Sequence, residues 1–203
     1  MTNLVGRAFE RYEVSIIVTA VSTAYLVVMP ASIRIRPATR EDAAAMAAVE
    51  VAAAQRFRAI GMVDIAEGEP TDAADVLVRI DDGRAYVATD DEGTCVGFAF
   101  YRLLDARRLY LEELDVAPSH AGQRIGARLI ERIMTRAAQD GIAEVVLSTF
   151  RDAPWNAPYY ARLGFHIVDD AALDHTLQAI RAHHVARGLD ETQRVFMRAD
   201  VRA

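Results

Sequence analysis

The chain has 203 residues and a formal net charge of −6, an acidity that argues against nucleic acid as the main partner and suits a cationic substrate. Its length fits one domain with a core, or one domain plus an appendage. The single cysteine, Cys95, excludes an internal disulfide, and no Cys/His cluster has zinc spacing, so a reducing compartment, the cytoplasm, and no metal are expected.

Residues 1–32 differ in kind from the rest of the chain. Residues 14–29 (VSIIVTAVSTAYLVVM) carry no charge and come after Arg7, Glu10 and Arg11, which raises a signal peptide or a membrane anchor. As a helix the run would span roughly 24 Å against a hydrocarbon core of about 30 Å, and its Val, Ile, Thr and Tyr content is closer to a strand. A membrane partner is therefore not expected. The expectation is a leader with little role in the fold, Met29 being the natural start, and a single domain over residues 33–203. Mass spectrometry showing Met1 retained in the native protein would refute that start.

Residues 33–38 (IRIRPA) alternate apolar and basic side chains, as a half-buried first strand does. Thr39 with Asp42 three positions on is a capping-box pattern that opens an alanine-rich helix to about Phe57, with Met46 and Val49 on its buried side. Residues 58–70 (RAIGMVDIAEGEP) read as a loop whose acids Asp64, Glu67 and Glu69 are either solvated or face a basic substrate. A short helix is expected next, over residues 71–81, with Asp72 and Asp75 where the helix dipole favours them.

Residues 84–89 and 94–103 are expected strands joined by Asp90-Asp91-Glu92-Gly93, a hairpin signature. Val96, Phe98 and Phe100 should face one way, while Gly97 and Ala99 leave the other face thin enough for a helix to pack closely. Cys95 reads as a small core or half-buried residue rather than a nucleophile.

The stretch that carries chemistry is residues 111–130, LEELDVAPSHAGQRIGARLI. Leu109, Leu111, Leu114 and Val116 form a strand interrupted by Glu112 and Glu113, and Pro118 ends it near Ala117. After Gly122 and Gly126 come apolar residues at helical spacing, Ile125, Leu129, Ile133 and Ala137. Strand, glycine-bearing loop and helix N-terminus together make an anion site, to which Arg124 and Arg128 add positive charge, so a phosphate or pyrophosphate is the expected guest. No Gly-Lys-Ser/Thr comes after the loop, and it does not read GxGxxG, which excludes the nucleoside-triphosphate and dinucleotide loops.

Gly141 caps that helix and residues 144–150 (EVVLSTF) form the next strand. In RDAPWNAPYYARLGF, Asn156 is a good N-cap and Pro158 suits the first turn of a short helix carrying Tyr159 and Tyr160 to Gly164, before a strand over residues 165–168. Leu173, Leu177 and Ile180 mark another helix ending at Gly188, and residues 193–199 a last strand. His175, His183 and His184 read as surface or rim residues, since one helix face lacks the convergent third ligand of a metal site.

The element order β-α-α-β-β-β-α-β-α-β-α-β, with LEELDVAPSHAGQRIGARL and WNAPYYARLGF at the right distance, resembles the GNAT superfamily of acetyl-CoA-dependent N-acetyltransferases. The resemblance is close over residues 33–168 and looser beyond. It implies an α/β fold with a central mixed, mostly antiparallel sheet, splayed between the fourth and fifth strands and flanked by helices. The family's pyrophosphate loop, Gln/Arg-x-x-Gly-x-Gly/Ala, falls on Ala121, Gly122, Gln123, Arg124, Ile125 and Gly126, departing at Ala121 and Arg124; with Ala127 these are the expected cofactor-binding residues. Arg124 stands where the family has glycine and carries a backbone cost if its φ is positive.

The resemblance further implies that pantetheine lies along the fourth strand like an added strand, on the backbone of Leu114 and Val116, with Asn156 reaching the pantetheine arm. It implies direct attack by a primary amine of a small molecule or peptide on acetyl-CoA in a ternary complex. Glu112 becomes the base, Glu113 a contact of the substrate amine on the opposite face of the strand, and Tyr160 the general acid, a phenol protonated at neutral pH. The alternative is a non-catalytic acyl-CoA-binding sensor or scaffold, which would need neither Glu112 nor Tyr160. Exposed edge strands suit a homodimer.

Overall fold

The structure, a computed structural model, describes residues 32–202; the leader expected over residues 1–32 lies, Ser32 apart, outside them. Seven strands form one sheet in the order β1-β2-β3-β4-β5-β7-β6. They are β1 (Arg34–Pro37), β2 (Ala85–Thr89), β3 (Cys95–Leu103), β4 (Arg108–Val116), β5 (Glu144–Phe150), β6 (His166–Ile167) and β7 (Arg194–Asp200). All neighbours pair antiparallel except β4 and β5, which are parallel. This is the mixed, mostly antiparallel sheet expected, and its parallel pair is joined by the helix a parallel crossover requires.

The capping box at Thr39 opens a 3-10 turn, Arg40–Asp42, that leads into helix α1 (Ala43–Ala54). The Asp42 carboxylate accepts from the Thr39 backbone N–H at 2.7 Å and from both Arg36 Nη1 and Nη2, at 2.6 and 2.8 Å. The helix does not reach Phe57 in α form but tightens into a 3-10 stretch, Gln55–Ile60, that ends at Gly61 with φ 79°. The expected loop after it contains a short helix, α2 (Val63–Ala66), and the next helix, α3 (Ala73–Asp81), has the Asp72 side chain accepting from Ala74 N. Helices α4 (Ile125–Gln139), α5 (Ala157–Arg162) and α6 (His175–Ala186) complete the set. Among the described residues no helix is long and apolar enough to cross a membrane.

The helices sort to the two faces of the sheet. Ile125, Leu129, Ile133 and Ala137 of α4 pack with Tyr86, Ala88, Ala99, Tyr101, Leu109 and Leu111. On the other face Met46 and Val49 of α1 and Val76 and Ile80 of α3 pack with Val87, Phe98 and Phe100, while Leu177 and Ile180 of α6 cover Tyr110, Val146 and Phe196. Close approach of α4 needs Gly97, where an added Cβ would meet Ile125 Cγ2 at 3.1 Å and Asp115 O at 3.0 Å. Val96 departs from the expected pattern: the register of β2 with β3 shifts between Thr89 and Ala88, and Val96 packs on the α4 side, away from Phe98 and Phe100.

Two irregularities create the site. Pairing of β4 with β5 stops at Leu111 with Leu147, so the strands diverge beyond that rung. In addition β4 carries one extra residue opposite β3: Phe100 faces Glu113 and Tyr101 faces Leu111, leaving Glu112 as the bulged residue. The expectation that Glu112 and Glu113 point to opposite faces is therefore corrected. Leu111 and Leu114 both lie on the α4 side, and the bulge leaves both glutamates on the α1 and α3 side.

Candidate active site

A cleft of about 500 Å³ opens where β4 and β5 part. Its floor is residues 111–115 and 147–150, with Asn156 and Tyr160 at one side; its walls are Glu50 of α1, Arg56, Phe57, Asp64, Ile65, Gly68 to Thr71, and Arg187 to Leu189 before β7. Glu50 ties two walls together by accepting from Thr71 N and Oγ1, at 2.9 and 3.0 Å.

The two sequence-expected carboxylates sit differently. Glu112 is clamped: Arg79 Nε and Nη2 donate to its Oε2 and Oε1 at 2.5 and 3.1 Å, and Arg102 Nε lies 3.1 Å from Oε1. Glu113 has no ion pair among the described residues; its Oε1 accepts weakly from Leu114 N at 3.3 Å. Burial, followed by the nearby charge of Glu50, pushes the Glu113 carboxyl up to about 7. Asp115, two residues on and on the same face, is 8% exposed, and burial with the charge of Glu113 raises it well above the ordinary carboxylate range. Burial also raises Glu50.

Sequence reasoning missed Glu50, Arg56 and Asp115. Asp115 was visible in the alternation that puts residues i and i+2 on one strand face. Glu50, four residues after buried Met46, stands on the buried stripe of α1 and could have been noticed there. Arg56 had no signal. It reaches Asp115 Oδ1 at 3.3 Å and is braced over the rings of Trp155 and Phe57 at 5.2 and 5.9 Å, and its Nε is buried without a partner among the described residues.

Tyr160 is 8% exposed and lines the cleft. Burial, then the charges of Glu113 and Asp115, raises its phenol far above the ordinary value, so it is a proton donor across the accessible pH range. Tyr159 is on the next face, with its ring packed at the α4 N-terminus; a Cβ on Gly126 would meet Tyr159 Oη at 2.7 Å. Gly126 is thus small because α5 approaches it closely. Asn156 occupies the N-cap of α5, but its side chain makes no cap bond: Nδ2 donates to Thr149 Oγ1 at 2.7 Å, and Oδ1 is buried without a partner among the described residues.

The loop before α4 has the expected character. Among the described residues no acceptor takes the backbone N–H groups of residues 122–127; the first satisfied one is that of Arg128, on Arg124 O at 3.1 Å. Unpaired N–H groups at a helix N-terminus favour an anion. Gly122 has φ +80°, and Arg124, the one non-glycine described residue with positive φ, has φ 59°. Arg128 is engaged elsewhere, donating from Nη2 to Ile33 O at 2.7 Å, so of the two arginines expected beside the loop only Arg124 is left without a hydrogen bond among the described residues.

Away from the cleft, His175 and His183 are exposed as expected, and His184 is half-buried. Its Nδ1 lies 2.7 Å from Glu191 Oε1, and its ring stacks on Phe196. No group of three or more His, Cys, Asp or Glu side chains among the described residues is placed to hold a metal ion. Cys95 is half-buried, and burial raises its thiol above the ordinary value.

Solved structures with this fold include a GNAT-family acetyltransferase from Staphylococcus aureus (TM-score 0.64, 15% identity, 84% of this chain and 100% of that one covered). The PaiA N-acetyltransferase from Thermoplasma acidophilum, solved in complex with coenzyme A, gives a TM-score of 0.59 at 20% identity over 83% of this chain and 99% of that one. N-acetylglutamate synthase from Neisseria gonorrhoeae, complexed with coenzyme A and N-acetyl-glutamate, gives 0.62 at 18% identity over 86% of this chain; this chain spans 36% of that protein's length. At such identities the likeness speaks for the fold. Residues 55–165, more than half of the sequence, match the acetyltransferase (GNAT) family profile, and the chain belongs to that family.

Proposed function

We propose that this protein acetylates a primary amine, with acetyl-CoA as acetyl donor and Glu113 as the base. The observation that carries the reading is the pairing, in one cleft, of a carboxyl raised to about 7 with a buried, protonated phenol. An acceptor amine is an ammonium ion at neutral pH and must lose a proton before its lone pair can attack a carbonyl carbon. A carboxyl that titrates near 7 is matched to that transfer.

The residues present fit acetyl-CoA. The unpaired N–H groups of residues 122–127 and Arg124 would hold the pyrophosphate. The β4 backbone at Leu114 and Val116, beyond the last rung with β5, and the unpartnered Asn156 Oδ1 would take the pantetheine amides. Acetyl-CoA supplies an activated acyl carbon and a thiolate leaving group. Across the reaction an N–C bond forms and a C–S bond breaks; Glu113 receives the ammonium proton, Tyr160 Oη gives one to the departing sulfur, and the second proton that nitrogen loses as the amide forms restores the phenol.

The base is assigned to Glu113 rather than Glu112 because both oxygens of Glu112 are engaged by arginine donors. A small cationic acceptor is favoured: Glu50, Asp64, Glu69 and Glu113 line the cleft without an ion-pair partner among the described residues. A pure acyl-CoA sensor would need neither base nor phenol.

The test is thiol release from acetyl-CoA with polyamines, aminoglycosides, amino acids and peptides as acceptors. Glu113→Gln is expected to lower kcat by about 10²–10⁴-fold and to remove the acidic limb of the pH–rate profile. Tyr160→Phe should lower kcat with acetyl-CoA affinity little changed. Full turnover in both variants, or no turnover with any amine, refutes the reading.

A further inference from the structure

The bulge in β4 decides which glutamate looks into the cleft. Were β4 paired regularly with β3 beyond Tyr101, strand alternation would send Glu113 into the α4 face and leave Leu114 toward the acids, because a one-residue slip exchanges the two sides. The extra residue opposite Phe100 and Tyr101 prevents this. A bulged residue is left outside the ladder, and here it is the residue with the most side-chain bonds on the strand. Arg79 comes from α3 and makes a two-point contact with it; Arg102 comes from β3, directly across from Tyr110, on whose ring it lies at 5.3 Å. The clamp is largely shielded, the side chains of Arg79 and Glu112 being 18% and 20% exposed. Planar two-point arginine contacts fix direction as well as distance.

We infer that Glu112 is a positioning residue, whose clamp between Arg79 and Arg102 holds the bulge that aims Glu113 into the cleft. The inference rests on Glu113 being the base. Loosening the clamp lets the bulge shift along β4, turning the Glu113 carboxylate away from the groups that now face it: Glu50 of α1, Arg56 of the following 3-10 stretch, Asp115 of β4, Tyr160 of α5 and Arg194 of β7. Out of the cleft, the carboxylate faces neither the acceptor amine nor the charges that now set its titration.

The experiment compares pH–rate profiles of the full chain. Glu112→Ala is expected to reduce kcat by about 10²-fold, the cost of a small misplacement of a reacting group, and to move the acidic limb away from about 7 as Glu113 leaves the charges that face it in the cleft. The pyrophosphate loop before α4 is untouched, so any rise in the KM for acetyl-CoA should come from the pantetheine contacts at Leu114 and be smaller than the loss in kcat. Arg102→Met removes one arginine from a partly exposed position and should shift the limb the same way by less. Arg79→Lys should retain more activity than Arg79→Met. A merely structural ion pair would lower the folded fraction and leave the limb in place, so an unmoved limb in both Glu112→Ala and Arg102→Met overturns the inference. Glu113→Gln separates this from failure of the base assignment: if that variant keeps the limb, the base lies elsewhere and the positioning role falls with it.

Discussion

At position 124 the backbone takes a left-handed turn, φ 59° and ψ 19°, in a residue that has a side chain. Left-handed φ/ψ costs an L-residue about 1–2 kcal/mol, whereas glycine gives back only about 0.5–1 kcal/mol through its freer unfolded chain. Arg124→Gly is therefore expected to hold or raise the melting temperature, by about 2–4 °C for each kcal/mol gained in a chain of this size. A fall of several degrees in a thermal scan would mean that the arginine side chain stabilises the loop by more than its backbone costs. The departure at this position was legible in the sequence; its sign was not, because φ depends on how the turn after Pro118 meets α4. The same limit applies to Glu112 and Glu113. Two adjacent acids are visible in the sequence, but which one keeps a free carboxylate depends on Arg79 and Arg102, residues of other elements.

Elements with local causes were read well. The capping box at Thr39 and Asp42, the glycine-ended helices and the hairpin before β3 lie where propensity and turn chemistry put them, with shifts of a residue or two at their ends. What failed was strand alternation at Val96 and at Glu112, in both cases because a bulge depends on the partner strand and leaves no local mark. The α1 cap makes a prediction at this scale. Asp42 is held at about 2, first by the hydrogen bonds from Arg36. Its folded value lies below the unfolded one, so the stability it contributes is present above pH about 4 and is lost as pH falls through about 2. Allowing for solvent screening of a partly exposed pair, Asp42→Ala should cost about 1–2 kcal/mol near neutrality, cap included, and less than half of that near pH 2. Urea midpoints at the two pH values measure it; an equal loss at both would show that the ion pair contributes nothing. Gly97 is the complementary case. An added methyl group there would press on Asp115 O and Ile125, and Gly97→Ala is expected to destabilise by about 1–3 kcal/mol through overpacking.

For the molecule as a whole, the floor of the site was legible and its walls only in part. Loop, strand and α5 form sequence motifs, and of the acids in the loop after α1 that could face a basic substrate Asp64 and Glu69 do line the cleft, whereas Glu50, Arg56 and residues 187–189 join them only when distant parts of the described chain fold onto β4 and β5. Those walls give the cleft its charge. Glu112 and Asp115 are set against arginines; Glu50, Asp64 and Glu69 remain without an ion-pair partner among the described residues, with Glu113 adding its charge above a pH of about 7, against Arg187 alone on the same walls apart from the hydrogen-bonded Arg194. A narrow cleft with such a surplus focuses its field and raises the encounter rate of cations, an effect that salt screens as the Debye length falls from about 30 Å at 0.01 M to about 8 Å at 0.15 M. If the acceptor is cationic, kcat/KM for a diamine should fall by about tenfold over that range, the low end for steered association, and for a monoamine of similar size by distinctly less. The uncatalysed reactivity of the two amines cancels, because each is compared with itself across salt. Equal salt slopes for the two acceptors would mean that the surplus acids are solvated rim rather than part of the acceptor's path, and that the cleft selects by shape.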